Sequence, residues 1–175
     1  MSEVSPLQRR VFTGVSYCTL DAQHRLIMPR EWRLPNENIK ETFFYIVPAF
    51  PNIIKVYDQP HYDKFIESFE NMDEYDPDTA EAMMAVGSLV APVKIDTQGR
   101  FTLTQPLIEH GNLPTDGSKV VMVGAITYGR IVSLDTWTQC KCNPMNLRKV
   151  DEALSAMRKA QNPKYNLTIT PTTQN

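Results

Sequence analysis

Cysteine is scarce: Cys18, Cys140 and Cys142 are the only three in 175 residues. So sparse and odd a set excludes a disulfide scaffold and points to a reducing cytoplasm. No run of about 18 apolar residues occurs, so no membrane span and no membrane partner are expected. The polar N-terminus lacks the apolar stretch and small-residue cleavage site of a signal peptide. There is no Gly-rich phosphate loop and no Gly-x-Ser-x-Gly element, the usual marks of nucleotide and ester chemistry. His24, His61 and His110 are scattered, and Cys140-Lys141-Cys142 offers two thiolates where a closed zinc site needs four ligands. The acidic stretch lacks the alternating Asp pattern and glycine of a calcium loop. These gaps leave no cofactor, no metal and no small-molecule substrate to expect.

One six-residue phrase occurs twice. Leu20-Asp21-Ala22-Gln23-His24-Arg25 returns as Ile95-Asp96-Thr97-Gln98-Gly99-Arg100, an apolar-Asp-x-Gln-x-Arg frame 75 residues further on. The echo continues: Tyr45-Ile46-Val47 aligns with Val120-Val121-Met122, and Tyr62 with Trp137. Repeats precede any reading of fold. A half of about 75 residues is marginal alone, so the two halves are expected to share one core as a pseudo-symmetric unit. The hydrophobic content of 42% suffices for such a core. Proteins of this symmetry often meet symmetric or repeated partners, DNA foremost.

The net charge of −2 argues weakly against nucleic acid, but its distribution is uneven. Residues 1–34 hold Arg9, Arg10, Arg25, Arg30 and Arg33 and sum to +2, and the stretch from Lys141 to the end sums to +4. Between Phe65 and Val93 lie seven acids and no Lys or Arg. Basic ends thus flank an acidic middle, a pattern that ordinary solvated faces also produce.

Val15–Leu20 and Arg25–Met28 have strand composition around the turn Asp21–His24, and Pro29 stops the second, so the segment reads as a hairpin. Phe43–Val47 and Ile53–Tyr57 are further strands joined by the turn at Pro48–Asn52. A helix follows Pro60, with Tyr62, Phe65, Ile66, Phe69 and Met72 at helical spacing. Asp78-Thr79-Ala80-Glu81 has the form of a capping box opening a second helix. The plan then repeats: a hairpin over Val93–Leu103, a short helix after Pro106, and strands at Lys119–Val123 and Arg130–Leu134. A C-terminal helix with Leu147, Val150, Leu154 and Met157 on one face has no counterpart in the first half. From Gln161 the chain is polar and expected to be disordered. The expected organisation is an N-terminal extension (1–10), a first repeat (11–75), a helical connector (76–90), a second repeat (91–142), a C-terminal helix (143–160) and a tail (161–175). The fold class is α+β and β-rich.

Asp21 and Asp96 suit turns, because an Asp carboxylate accepts backbone N–H bonds just ahead of it. Arg25 and Arg100 can pair with them or face outward, where a planar guanidinium fork matches a phosphate or a guanine edge. Arg10, Arg30 and Arg33 are candidates for further phosphate contacts, and Gln23 and His24 stand at the first loop tip. The Arg-rich sequence around Arg25 makes the first loop the expected main reader. Two repeat-related aspartates also bring an aspartic-protease dyad to mind. That chemistry needs Asp-Thr/Ser-Gly in direct succession, and an Arg four residues after each Asp favours ionised carboxylates rather than a shared proton. The chain is therefore not expected to be an enzyme.

Phe12-Thr13-Gly14, then Asp21 to Arg25, then Ile27-Met28-Pro29, with the second copy at Ile95–Leu103 and Trp137 after the last strand, resembles the MraZ family of the SpoVT/AbrB swapped-hairpin superfamily. The resemblance spans roughly Val11 to Cys142. It implies a duplicated swapped-hairpin β-barrel with peripheral helices and ring-like homo-oligomers. It also implies a cytoplasmic, nucleoid-associated transcriptional regulator that binds double-stranded DNA at repeated promoter sites of cell-division and cell-wall genes. By that resemblance Arg25 is the central DNA-facing residue and Arg100 its repeat partner. Where the family carries Lys-Gly before the first motif Arg, this chain has Gln23-His24, and Thr104 stands where a proline is usual after the second strand. The alternative is an assembly module of the same fold that has lost DNA binding.

Overall fold

The strands that flank each copy of the repeated phrase do not pair with each other. In the computed structural model, which describes residues 9–35, 37–38, 41–139 and 144–161, they pair across the two halves instead. β1 (Val15–Cys18) runs antiparallel to β7 (Val120–Gly124), and β2 (Arg25–Ile27) runs antiparallel to β6 (Arg100–Thr102). β5 (Ala91–Lys94) pairs with β3 (Phe43–Ala49). The expected hairpins at 15–28 and 93–103 are thus corrected: the turns form, but each arm finds its partner in the other half. β3 also pairs with β4 (Ile53–Asp58), and β7 with β8 (Gly129–Ser133), as two true hairpins joined through β4·β8. The result is a mixed α+β unit in which every strand pair is antiparallel. It holds one six-stranded sheet, ordered β1-β7-β8-β4-β3-β5, and a separate two-stranded ribbon, β2·β6.

This order is its own mirror when each strand is exchanged for its counterpart, and so is the register. Cys18↔Val120 becomes Val93↔Phe44, and Ile46↔Val56 becomes Met122↔Ile131. Ile54↔Ile131 exchanges with Val56↔Gly129, and Leu26↔Phe101 maps onto itself. The third strand of each half is displaced by one residue from the offset of the repeated phrase. Phe44–Ile46, not Tyr45–Val47, matches Val120–Met122, because the second half carries one extra residue between β6 and β7. Side chains alternate between faces, so only this frame puts Phe44 and Ile46 on the same face as Val120 and Met122. All four are fully buried.

The main core lies between ribbon and sheet. Leu26 and Phe101 point inward from the ribbon and meet Ile54, Val56, Met122 and Ile131 of the sheet. Leu20 and Ile95, the apolar residues that open the two phrases, are buried there too. Trp32, on a 3-10 turn at Arg30–Trp32 that follows Pro29, seals one side and packs edge-on to Phe12 at 5.3 Å. Gly129 makes room for it: a Cβ there would lie 2.3 Å from the indole ring.

The sheet's other face takes two of the helices. α1 (Gln59–Glu70) is capped by Asp58 and stacks Tyr62 on Tyr45, with ring centroids 3.9 Å apart. α4 (Leu134–Gln139) begins at the equivalent point, where the Ser133 hydroxyl accepts the Thr136 N–H. Its Trp137 joins a small cluster with Ile53, Val121 and Val132 and donates to the Tyr17 hydroxyl at 3.2 Å. α3 (Gln105–His110) buries Leu107 and Ile108 in the main core. α2 (Pro77–Leu89) starts two residues before the expected capping box: Asp76 accepts from Thr79 N–H, and Pro77 takes the first helical turn, where its missing N–H is no loss. α5 (Pro144–Gln161) belongs to a second unit, residues 140–175, and exposes Leu147, Val150, Leu154 and Met157 along one stripe. The expected disordered tail falls outside the described residues from 162 onward. Among the described residues no helix is long and apolar enough to cross a membrane.

Candidate nucleic-acid interface

The two copies of the phrase fold into the same turn. In the first, Asp21 Oδ1 accepts the backbone N–H groups of Gln23 and Arg25, both at 2.9 Å, and Oδ2 accepts Arg25 Nε at 2.6 Å. In the second, Asp96 Oδ1 takes Gln98 N–H at 2.9 Å and Arg100 N–H at 2.8 Å, and Oδ2 takes Arg100 Nε at 2.7 Å. These bonds hold both carboxyls below the ordinary Asp range. For Asp96 the largest influence is the Arg100 backbone N–H. For Asp21 partial desolvation is the largest and pulls upward, but the bonds from Arg25 and Gln23 together outweigh it.

His24 and Gly99 occupy the same left-handed position, at φ +58° and +79°. Gln23-His24 therefore preserves the turn that the glycine of the second copy makes without strain. His24 C=O accepts Leu103 N–H, and Gly99 C=O accepts Met28 N–H, so each turn is tied to the end of the opposite ribbon strand.

Alternation along the ribbon decides what its outer face carries. Leu26 and Phe101 are buried, so Arg25, Ile27, Arg100 and Thr102 face away from the core. Arg25 lies opposite Thr102, and Arg100 opposite Ile27. The two arginines are thus diagonal neighbours, with about 7–8 Å between such positions in an antiparallel pair. Their side chains are equally half-buried, at 30% and 29% exposure. Because Asp grips Nε, the outer edge of each guanidinium remains turned away from the clamp. Arg25 Nη2 donates to the Gln23 side chain at 2.9 Å, and among the described residues the terminal nitrogens of Arg100 have no protein partner. Ile27, 55% exposed, and Thr102 belong to this face but were not among the sequence candidates. Their position two residues from each motif Arg was the available signal.

The remaining cations scatter. Arg10 is buried, and the expectation that it contacts phosphate is corrected: its guanidinium is satisfied inside the protein. Nε donates to Asp58 at 3.2 Å, Nη1 to the Trp32 carbonyl, and both terminal nitrogens to Glu37, while the group lies 4.6 Å above the Phe44 ring. Asp58 also takes Nδ1 of buried His61. This closed network forms the inner wall of a cleft of about 530 Å³ whose rim includes Arg9 and Lys64. Arg30 is exposed. Arg33 donates to the Met28 carbonyl at 2.7 Å, and its guanidinium fills the space a Cβ on Gly99 would need. It therefore sits on the second turn. The expected basic neighbourhood of the first loop is corrected on this point: the chain exchange carries the residues that follow Arg25 to the tip of the other turn.

No protein-family model matches this chain, and a search of curated proteins finds no match either.

Proposed function

We propose that this protein is a sequence-specific DNA-binding regulator of the MraZ kind, a swapped-hairpin unit that reads duplex DNA with the outer face of the β2·β6 ribbon. One observation carries the reading. Two arginines held by the same aspartate clamp stand as diagonal neighbours on one exposed ribbon face, related by the pseudo-twofold. A two-stranded ribbon fits the major groove, and a guanidinium fixed through Nε can offer terminal nitrogens to a phosphate or to the O6 and N7 of guanine, both from Arg100 and, for Arg25, with Nη2 first leaving the exposed Gln23 side chain. The exchange of strands between halves supports the swapped-hairpin class.

A single ribbon offers too little surface for a regulator's affinity, so several copies would act together on a repeated site. This motivates a homo-oligomer, of ring-like form by the family resemblance. Nucleoid association follows from the same reading. Selection of duplex fragments from a random pool by the purified full chain tests the function. An enriched, repeated motif is the expected result. Recovery of no motif would favour an assembly module with the same fold.

A further inference from the structure

The pseudo-twofold axis passes through two self-paired positions. One is Leu26↔Phe101 in the ribbon, and the other is Lys55↔Arg130 at the centre of the six-stranded sheet. Lys55 and Arg130 are themselves repeat equivalents. Their strand neighbours Ile54, Val56 and Ile131 are buried in the core, so both point to the sheet's outer face, on the far side of the core from Arg25 and Arg100.

Directly opposed like charges on adjacent strands repel, with Cβ atoms only about 4.5–5.5 Å apart. Surface lysines and arginines usually escape such a clash by bending into water, but these are held. The Lys55 ammonium lies 4.6 Å above the Tyr128 ring, and Tyr128 packs against Tyr57 at 5.6 Å. Arg130 Nε is shielded from solvent without an acceptor, and among the described residues it is the only buried side-chain nitrogen or oxygen so placed. No carboxylate of the described residues lies within 4 Å of either cation. Burial, and after it Arg130, lowers the Lys55 pKa, as two fixed cations without a counter-ion should.

We propose that Lys55 and Arg130 form a phosphate-binding site on the outer face of the sheet, taking a dianionic phosphate or diphosphate group between them. One such group bridging the terminal guanidinium nitrogens of Arg130 and the Lys55 ammonium supplies the counter-ion the pair lacks and removes the repulsion. A guanidinium gives a planar fork for two oxygens, and an ammonium gives a mobile point donor for a third. Tyr57 and Tyr128 wall the pair on the Lys55 side. The site stands apart from the ribbon and does not depend on the DNA reading.

The test uses the full chain with inorganic phosphate and pyrophosphate, at ionic strength held constant with sodium chloride. Calorimetry and the thermal midpoint are read together. The expected result is saturable binding with a matching rise in midpoint, pyrophosphate binding tighter than phosphate. Lys55→Gln and Arg130→Gln should each weaken it about tenfold or more, the scale of one charge-assisted hydrogen bond. Lys119→Gln, which removes an exposed charge on the loop just before β7, should leave it unchanged, and Lys55→Arg should retain it. Without phosphate, Arg130→Gln should be at least as stable as the parent chain, which guards against loss of binding through misfolding. Three outcomes overturn the proposal. One is a midpoint that follows ionic strength alone, and another is phosphate binding that survives both substitutions. The third is a Lys55 dependence seen with duplex DNA and absent with free phosphate, which would assign the pair to a nucleic-acid backbone.

Discussion

His24 holds φ +58° with a side chain that disfavours it, whereas Gly99 holds φ +79° freely. The left-handed region costs a non-glycine residue about 1–2 kcal/mol, and glycine's extra entropy loss returns about 0.5–1. His24→Gly should therefore raise stability by roughly 0.5–1 kcal/mol. By the same balance Gly99→Ala should lower it by roughly 0.5–1 kcal/mol, and its Cβ, which would meet the Arg33 guanidinium at 2.6 Å, should displace that side chain. Urea denaturation of the two variants checks the opposite signs. The aspartates give a pH dependence. Their folded pKa values lie below the ordinary value, so their contribution is fully present above about pH 4 and is lost as pH falls through the lowered folded values. Between pH 6 and 2 the urea midpoint of the parent chain should fall more steeply than that of a variant carrying Asp21→Asn and Asp96→Asn. Equal slopes would show that the turns do not depend on ionised carboxylates. The turns themselves were legible in the sequence, since Asp-x-Gln-x-Arg makes all its bonds within five residues.

At the scale of elements, Arg10 matters more for what it joins than for its charge. It ties the chain before Phe12 to the end of the 3-10 turn at Trp32, to Glu37, and to Asp58 at the cap of α1. Its side chain is 4% exposed, and removing it strips the largely buried Glu37 of its cation and leaves Asp58 with His61 alone. Breaking such a pair typically costs about 3–5 kcal/mol, so Arg10→Ala should lose on that order in thermal or urea unfolding. Arg9→Ala, next to it and exposed, should lose little. A stretch of five arginines reads as one basic surface in sequence. The fold turns one inward, lays one across Gly99, and leaves Arg30 exposed beyond Pro29, which no local pattern encodes. Strand partners were equally hidden. β1 and β2 have the composition of a hairpin, and nothing between Val15 and Met28 reports that each pairs more than 70 residues away. The N-cap of α2 at Asp76 rather than Asp78 is a smaller case of the same kind. Pro77 fits the first turn and so moves the start upstream.

For the whole molecule, the pseudo-twofold is the organising fact, and the repeated phrase announced it. What the phrase could not convey is that symmetry sets the two arginines on one face instead of on two separate loops. The exposed stripe Leu147-Val150-Leu154-Met157 of α5 is of the kind that self-association covers. Light scattering at micromolar concentration should give a mass above 20.0 kDa, and replacing Leu147 and Leu154 with Glu should reduce it. A clean monomer in the parent chain would remove this part of the account.

The central claim is that Arg25 and Arg100 act together as the DNA-reading face. Its most direct test is the salt dependence of duplex binding for the parent chain, Arg25→Ala and Arg100→Ala, each first shown to keep its fold and mass. Each substitution should cost about 1–3 kcal/mol if it removes a base contact, or lower the salt slope by about one if it removes a phosphate contact. Arg33, whose guanidinium lies on the second turn, makes the Arg100 loss at least as large as the Arg25 loss. Two folded variants that bind duplex DNA as the parent does, with unchanged salt slopes, would contradict the account.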